Sequence, residues 1–121
     1  MMGLIFVGLG GFLGAIFRFL ISNTIQGSAK LPIGTLGVNV LGSFILSFLT
    51  YTSERTQVLP ESTRLFFAVG MLGAFTTMST FSLETFKLFE EKEYLLFLGN
   101  FTLNNALCLV GIYMGKLFSG V

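Results

Sequence analysis

Gly70-Met71-Leu72-Gly73-Ala74-Phe75-Thr76-Thr77-Met78-Ser79-Thr80-Phe81-Ser82 lies in the middle of an apolar segment that runs over about residues 62–89. One continuous helix over that segment would measure ~42 Å, against ~30 Å of bilayer hydrocarbon. Two glycines and five hydroxyl residues gather in this stretch, a composition that favours an interrupted helix over a straight rod. A break frees carbonyls at the end of the first half and amides at the start of the second. The carbonyl end favours a cation; the amide end and the hydroxyls favour an anion. The stretch therefore predicts a span interrupted near residues 73–80. The alternative is a tilted helix whose Ser and Thr bond back to their own carbonyls.

Outward from this segment the chain is a series of apolar runs. Residues 1–17, 31–53, 65–83 and 94–115 carry no charge, and each is close to the ~17–25 residues that cross a bilayer as a helix. The expected spans are about 3–21, 34–51, 62–89 and 94–118, in one domain covering 1–121. The fold class is all-α integral membrane protein with four transmembrane helices per subunit. Composition agrees: of 121 residues, 53% are hydrophobic and 11% charged, less than half the ~25% charged share of soluble domains. The mean hydropathy is +0.84. No basic segment or small-residue cleavage site accompanies the first run, so it reads as a retained span.

Several functions fall away. A net charge of +1 with scattered basic residues leaves no nucleic-acid footprint. A single cysteine, Cys108, and no histidine exclude an internal disulfide and a Cys/His zinc site. Histidine and aspartate, the usual acid–base residues, are both missing, no P-loop is present, and five of the six glutamates lie between the apolar runs. The chain reads as neither an enzyme nor an ATP-driven pump.

The basic residues divide almost evenly between the two membrane faces. Arg55, Arg64 and Lys116 lie on one, and Arg18, Lys30, Lys87 and Lys92 on the other. Orientation normally follows a Lys/Arg excess. So weak a bias fits insertion in both orientations and pairing as an antiparallel, dual-topology homodimer; a single orientation set by one or two residues fits it too.

Polar residues within the runs fall into stripes at helical spacing: Gly10, Gly14 and Arg18; Thr35, Asn39, Ser43 and Ser47; and Asn100, Asn104, Cys108, Gly111 and Gly115. The glycines read as helix-packing faces. Asn39 and Asn104 read as functional, because an amide deep in a span is costly without a partner or an ion. Glu84, the one glutamate inside a run, pairs by spacing with Lys87 as a partly solvated ion pair, or else serves a pore.

Gly11-Phe12-Leu13-Gly14-Ala15-Ile16-Phe17-Arg18, Gly34-Thr35-Leu36-Gly37-Val38-Asn39 and Thr76-Thr77-Met78-Ser79-Thr80-Phe81-Ser82-Leu83-Glu84 resemble the Fluc (CrcB) fluoride channels, in order and spacing across all four spans. The resemblance implies an antiparallel dual-topology homodimer with two fluoride pores. It also implies a structural sodium ion at the dimer centre, held by backbone carbonyls that fall on Gly73 and Thr76. By position, Asn39 matches the family's pore asparagine, Arg18 its basic vestibule residue, Phe81 one of two pore phenylalanines, and Glu84 the acidic residue just beyond. Met78 stands where the other phenylalanine is usual, and Cys108 where a serine often continues the polar track after Asn104. Methionine has no quadrupole and a thiol is a weak donor, so both departures weaken the implied pore.

The residues can support such a pore. Fluoride holds its water tightly, so a selective path must offer close donors: the amide of Asn39 and the hydroxyls of Ser43, Ser79 and Thr80. The positive ring edge of Phe81 can face an anion. The expected function is passive export of fluoride across the cell's inner membrane. The rivals are a proton-coupled multidrug or cation exporter, which needs a buried carboxylate, and a membrane subunit that transports nothing.

Overall fold

The computed structural model describes residues 1–120. α1 (Met2–Gln26) and α2 (Ile33–Thr56) are unbroken, as is the last helix, α6 (Tyr94–Phe118). Between them the third span is assembled from pieces. A short turn, α3 (Glu61–Arg64), runs into a π-helical stretch (Leu65–Leu72) and one further turn, α4 (Gly73–Phe75); after a gap comes α5 (Met78–Glu90). Four helical segments (Met2–Gln26, Ile33–Thr56, Glu61–Glu90 and Tyr94–Phe118) are long and apolar enough to cross a membrane.

The ends follow local chemistry. Gly27 closes α1 at φ 50°, and Gln57 closes α2 in the left-handed region while donating its N–H to the Ser53 carbonyl at 2.8 Å. Pro32 and Pro60 precede α2 and α3, where a missing N–H costs nothing. The side chain of Gln26 shapes the first loop, donating to the carbonyls of Ala29 (2.7 Å) and Leu31 (3.1 Å) and accepting from the Gly34 N–H (2.9 Å). α1 runs to Gln26, beyond the expected end at residue 21, so Arg18 sits two turns inside the helix rather than near its end.

Two helix pairs make the body: α1 along the π-helical stretch, and α2 along α6. Both rely on glycine at the contact. A Cβ on Gly14 would lie 2.0 Å from the Met71 carbonyl oxygen, and one on Gly115 2.5 Å from that of Phe44. The glycine stripes are packing faces, as their spacing implied. Lys30 pairs with Glu93 and so joins the first and third loops. At the other end of the bundle Arg55 Nε donates to the Ser119 carbonyl at 2.8 Å. The chain thus begins and ends on the side of its second loop.

The interior is polar and the outside oily. Buried apolar side chains are few, namely Val38, Leu72, Phe75, Phe81 and Leu88, and they share the interior with Thr35, Asn39, Ser47, Thr85, Asn100 and Asn104. Phe12, Phe19, Leu95 and Leu109 are among the many large apolar residues left exposed on the helices. Water would oppose that distribution; a bilayer or a second subunit favours it.

Candidate functional site

The interruption of the third span is confined to Thr76 and Thr77, whose ψ angles of 155° and 121° are extended. It is narrower than the 73–80 expected from composition. Gly73 is helical at φ −60°, ψ −38°, and Ser79 and Thr80 already belong to α5. The hydroxyls do not unwind the helix wherever they occur, because several bond locally. Thr76 Oγ1 donates back to the Leu72 carbonyl at 3.2 Å, and Thr77 Oγ1 caps α5 by accepting the Thr80 N–H at 3.2 Å.

Asn39 closes the gap from α2. Its Oδ1 accepts the Thr77 N–H at 2.8 Å and its Nδ2 donates to the Thr77 carbonyl at 3.1 Å, so the side-chain amide pairs with Thr77 as a neighbouring strand would. These bonds take the amide protons that an unbroken helix would send to the carbonyls four residues earlier. The Thr77 N–H goes to Asn39 instead of Gly73, and the Thr80 N–H goes to the Thr77 hydroxyl instead of Thr76. The Gly73 and Thr76 carbonyls are each left without their helical donor. Between them, the Ala74 carbonyl accepts Arg18 Nε at 3.0 Å. Arg18 therefore supports the carbonyl end of the break from α1.

A relay of side chains continues from Asn39 into α6 and back to α5. Asn39 Nδ2 also donates to Asn104 Oδ1 at 3.1 Å. Asn104 Nδ2 donates to Oδ1 and the carbonyl of Asn100 at 3.1 and 3.2 Å. Asn100 Nδ2 donates to Thr85 Oγ1 at 2.7 Å, and Thr85 Oγ1 donates to the Phe81 carbonyl at 2.6 Å. Asn100 is fully buried and Asn104 nearly so. An amide carries two protons. Those of Asn39 and of Asn104 are both committed within the protein, a distribution the sequence did not reveal.

Phe81 is buried in the subunit, its ring stacked on Phe101 with centroids 6.5 Å apart. Met78, 72% exposed, and Ser79 point away from the subunit. Thr80, Ser43 and Cys108 are half-buried. Asn39, Asn104 and Phe81 are thus joined through one relay, while Met78, Ser79 and Gly73 lie on the outer surface. Glu84 does not pair with Lys87. It accepts the Thr35 hydroxyl at 2.5 Å, because α2 brings that donor across to it, and the described ion pairs do not include it.

Sequence reasoning did not assign Thr77, Thr85 or Asn100 to the site. The four-residue steps Thr77–Phe81–Thr85 and Asn100–Asn104 were the available signal. Among the described residues no cluster of three or more His, Cys, Asp or Glu could hold a metal. At the rim, Lys30 is raised above its ordinary pKa by the hydrogen bond and charge of Glu93.

Four apolar spans around a polar relay, one of them broken, define a multi-pass membrane protein. The family model described as CrcB-like protein, Camphor Resistance (CrcB), matches residues 5–116. Three relatives bear the name fluoride-specific ion channel FluC. Those of Methanococcus aeolicus and Methanocaldococcus jannaschii are each 46% identical over 116 residues, covering 96% of this chain and 94% and 93% of their own. That of Shewanella loihica is 47% identical over 119 residues, covering 96% and 94%. The chain belongs to the CrcB-like family. Its relatives are named as channels, not enzymes, in keeping with the reading of its composition.

Proposed function

We propose that this protein is a passive, fluoride-selective channel of the cell's inner membrane, working as an antiparallel homodimer with two pores. The observation that carries the reading is the two-residue break in the third span, clamped by Asn39, with Phe81 one turn beyond it. An anion path needs donors that can replace tightly held water. The amide protons of Asn39 and Asn104 are committed, so the hydroxyls of Ser43, Ser79 and Thr80 are the free donors, and the edge of the Phe81 ring adds polarised C–H groups. Ser79 and Met78 face out of the subunit, which supports a path completed by a second copy.

The carbonyls of Gly73 and Thr76, each without its helical amide, suit a sodium ion at the dimer axis, with two oxygens from each copy. Bound there, the ion would pin two broken spans together and add fixed positive charge. A proton-coupled exporter fits less well. Its required carboxylate would have to be Glu84, which is already bonded to Thr35. Export needs no fuel beyond the fluoride gradient and the membrane potential.

Purified protein in liposomes, read with a fluoride electrode and a potassium ionophore to balance charge, tests the proposal. Fluoride efflux without chloride efflux or proton coupling is expected. Proton-driven cation uptake, or no flux at all, would overturn it in favour of an exporter or a non-transporting subunit.

A further inference from the structure

We infer that Asn100 and Thr85 are positioning residues for Phe81, fixing the ring on which halide discrimination depends; this rests on the channel reading above. α5 is cut loose from the first half of its own span by the break, so it depends on cross-links to its neighbours. Three side-chain links, four hydrogen bonds in all, provide them. Asn39 grips Thr77 just before α5, Thr35 donates to Glu84, and Asn100 donates to Thr85. The last is the one side-chain hydrogen bond between α5 and α6 among the described residues.

Thr77, Phe81 and Thr85 are spaced by four, so they share one face of the helix. Phe81 lies midway between the grip at its N-terminal side and the link at its C-terminal side. Its ring stacks on Phe101, the residue next to Asn100, so the Asn100–Thr85 bond sets the spacing of the two helices where the two rings meet. The Thr85 hydroxyl works in both directions: it accepts from Asn100 and donates its one proton to the Phe81 carbonyl. Both side chains are buried, Asn100 completely. Neither is placed to meet the ion; each acts through Phe81.

Four variants test this against a purely structural role. Thr85→Val keeps the shape of the side chain but removes the hydroxyl, and it leaves Asn100 Nδ2 buried without an acceptor. Thr85→Ser keeps the hydroxyl. Asn100→Leu removes the donor. The double variant Thr85→Val/Asn100→Leu removes both partners of their bond. Because Asn104 Nδ2 still loses Asn100 Oδ1 as an acceptor, the two changes together should cost less stability than their separate costs summed, but not nothing. Each is reconstituted in liposomes for fluoride and chloride flux, and its unfolding temperature is measured in detergent.

Thr85→Val and Asn100→Leu are expected to lower the fluoride-to-chloride flux ratio by about tenfold or more, the scale on which partners behind an ion's direct ligands act. Thr85→Ser should stay near wild type. The double variant should lose less unfolding temperature than the two single variants summed, without regaining the flux ratio. A wild-type ratio in Thr85→Val, or a ratio that recovers with stability in the double variant, would refute the inference while the channel reading stands. Absence of fluoride flux in the wild-type protein would refute both.

Discussion

Replacing Asn39 with alanine should loosen the third span at its break. The substitution removes three hydrogen bonds: from the Thr77 N–H, to the Thr77 carbonyl, and to Asn104 Oδ1. Side-chain hydrogen bonds between membrane helices are worth about 0.6 kcal/mol on average and about 1.7 at most, so three amount to ~2–5 kcal/mol. The upper part of that range applies, because Asn104 is left with a buried, unpartnered oxygen. The cost should be shared with Asn104. In a double-mutant cycle Asn39→Ala and Asn104→Ala should couple by ~0.5–2 kcal/mol, since the two side chains are in direct contact. Reversible unfolding in detergent or bicelles gives both quantities, and hydrogen exchange at the Thr77 amide should accelerate in Asn39→Ala. A loss below about 0.5 kcal/mol, within the ordinary range of surface substitutions, or independent effects of the two changes, would refute the assignment of Asn39 as the clamp.

Phe81→Ile should abolish fluoride flux while dimerisation, read by cross-linking in membranes, persists; Met78→Phe should raise flux, and unchanged flux in either variant removes that position from the pore. Gly14→Ala places a methyl group against the Met71 carbonyl, where a Cβ would stand at 2.0 Å, and should cost about 3 kcal/mol or more in unfolding free energy because backbone must move; an unfolding temperature equal to wild type would contradict that contact. The pKa of Lys30 is raised above 10.5 by Glu93, so the stability it contributes is complete below 10.5 and is lost as pH rises through the raised value. Lys30→Met should therefore flatten only the alkaline limb of stability against pH, with little change at neutral pH because the pair is exposed; a large loss at neutral pH would show that the loops depend on this pair.

The spans were legible because a charge inside hydrocarbon is expensive, so charge-free runs mark the crossings. Asn39 and Asn104 were legible for the same reason, since a buried amide must meet a partner. The break was legible in kind but not in extent. Gly73 and Ser79 have break-prone compositions yet stay helical, and what stops the helix at Thr76 and Thr77 is an amide supplied from α2, thirty-eight residues away in sequence. Glu84 shows the same limit: local spacing offered Lys87, and the fold delivered Thr35. The π-helical stretch had no signal at all, because its aliphatic and aromatic residues suit an ordinary α-helix equally well. Thr85 escaped notice because a threonine bonded back to its own helix looks complete; its second bond, from Asn100, exists only once α5 and α6 are adjacent.

The link between Arg55 and Ser119 brings the chain's tail back beside its second loop, as an even number of crossings requires. Two such chains lying head-down and head-up beside each other would therefore have the tail of one and the start of the next on opposite faces of the bilayer. No flexible tether, however long, could splice them into one working polypeptide. A genetic concatemer of the proposed antiparallel dimer would need an additional hydrophobic crossing as its connector, and a version joined through a plain glycine–serine linker should yield only copies that face the same way.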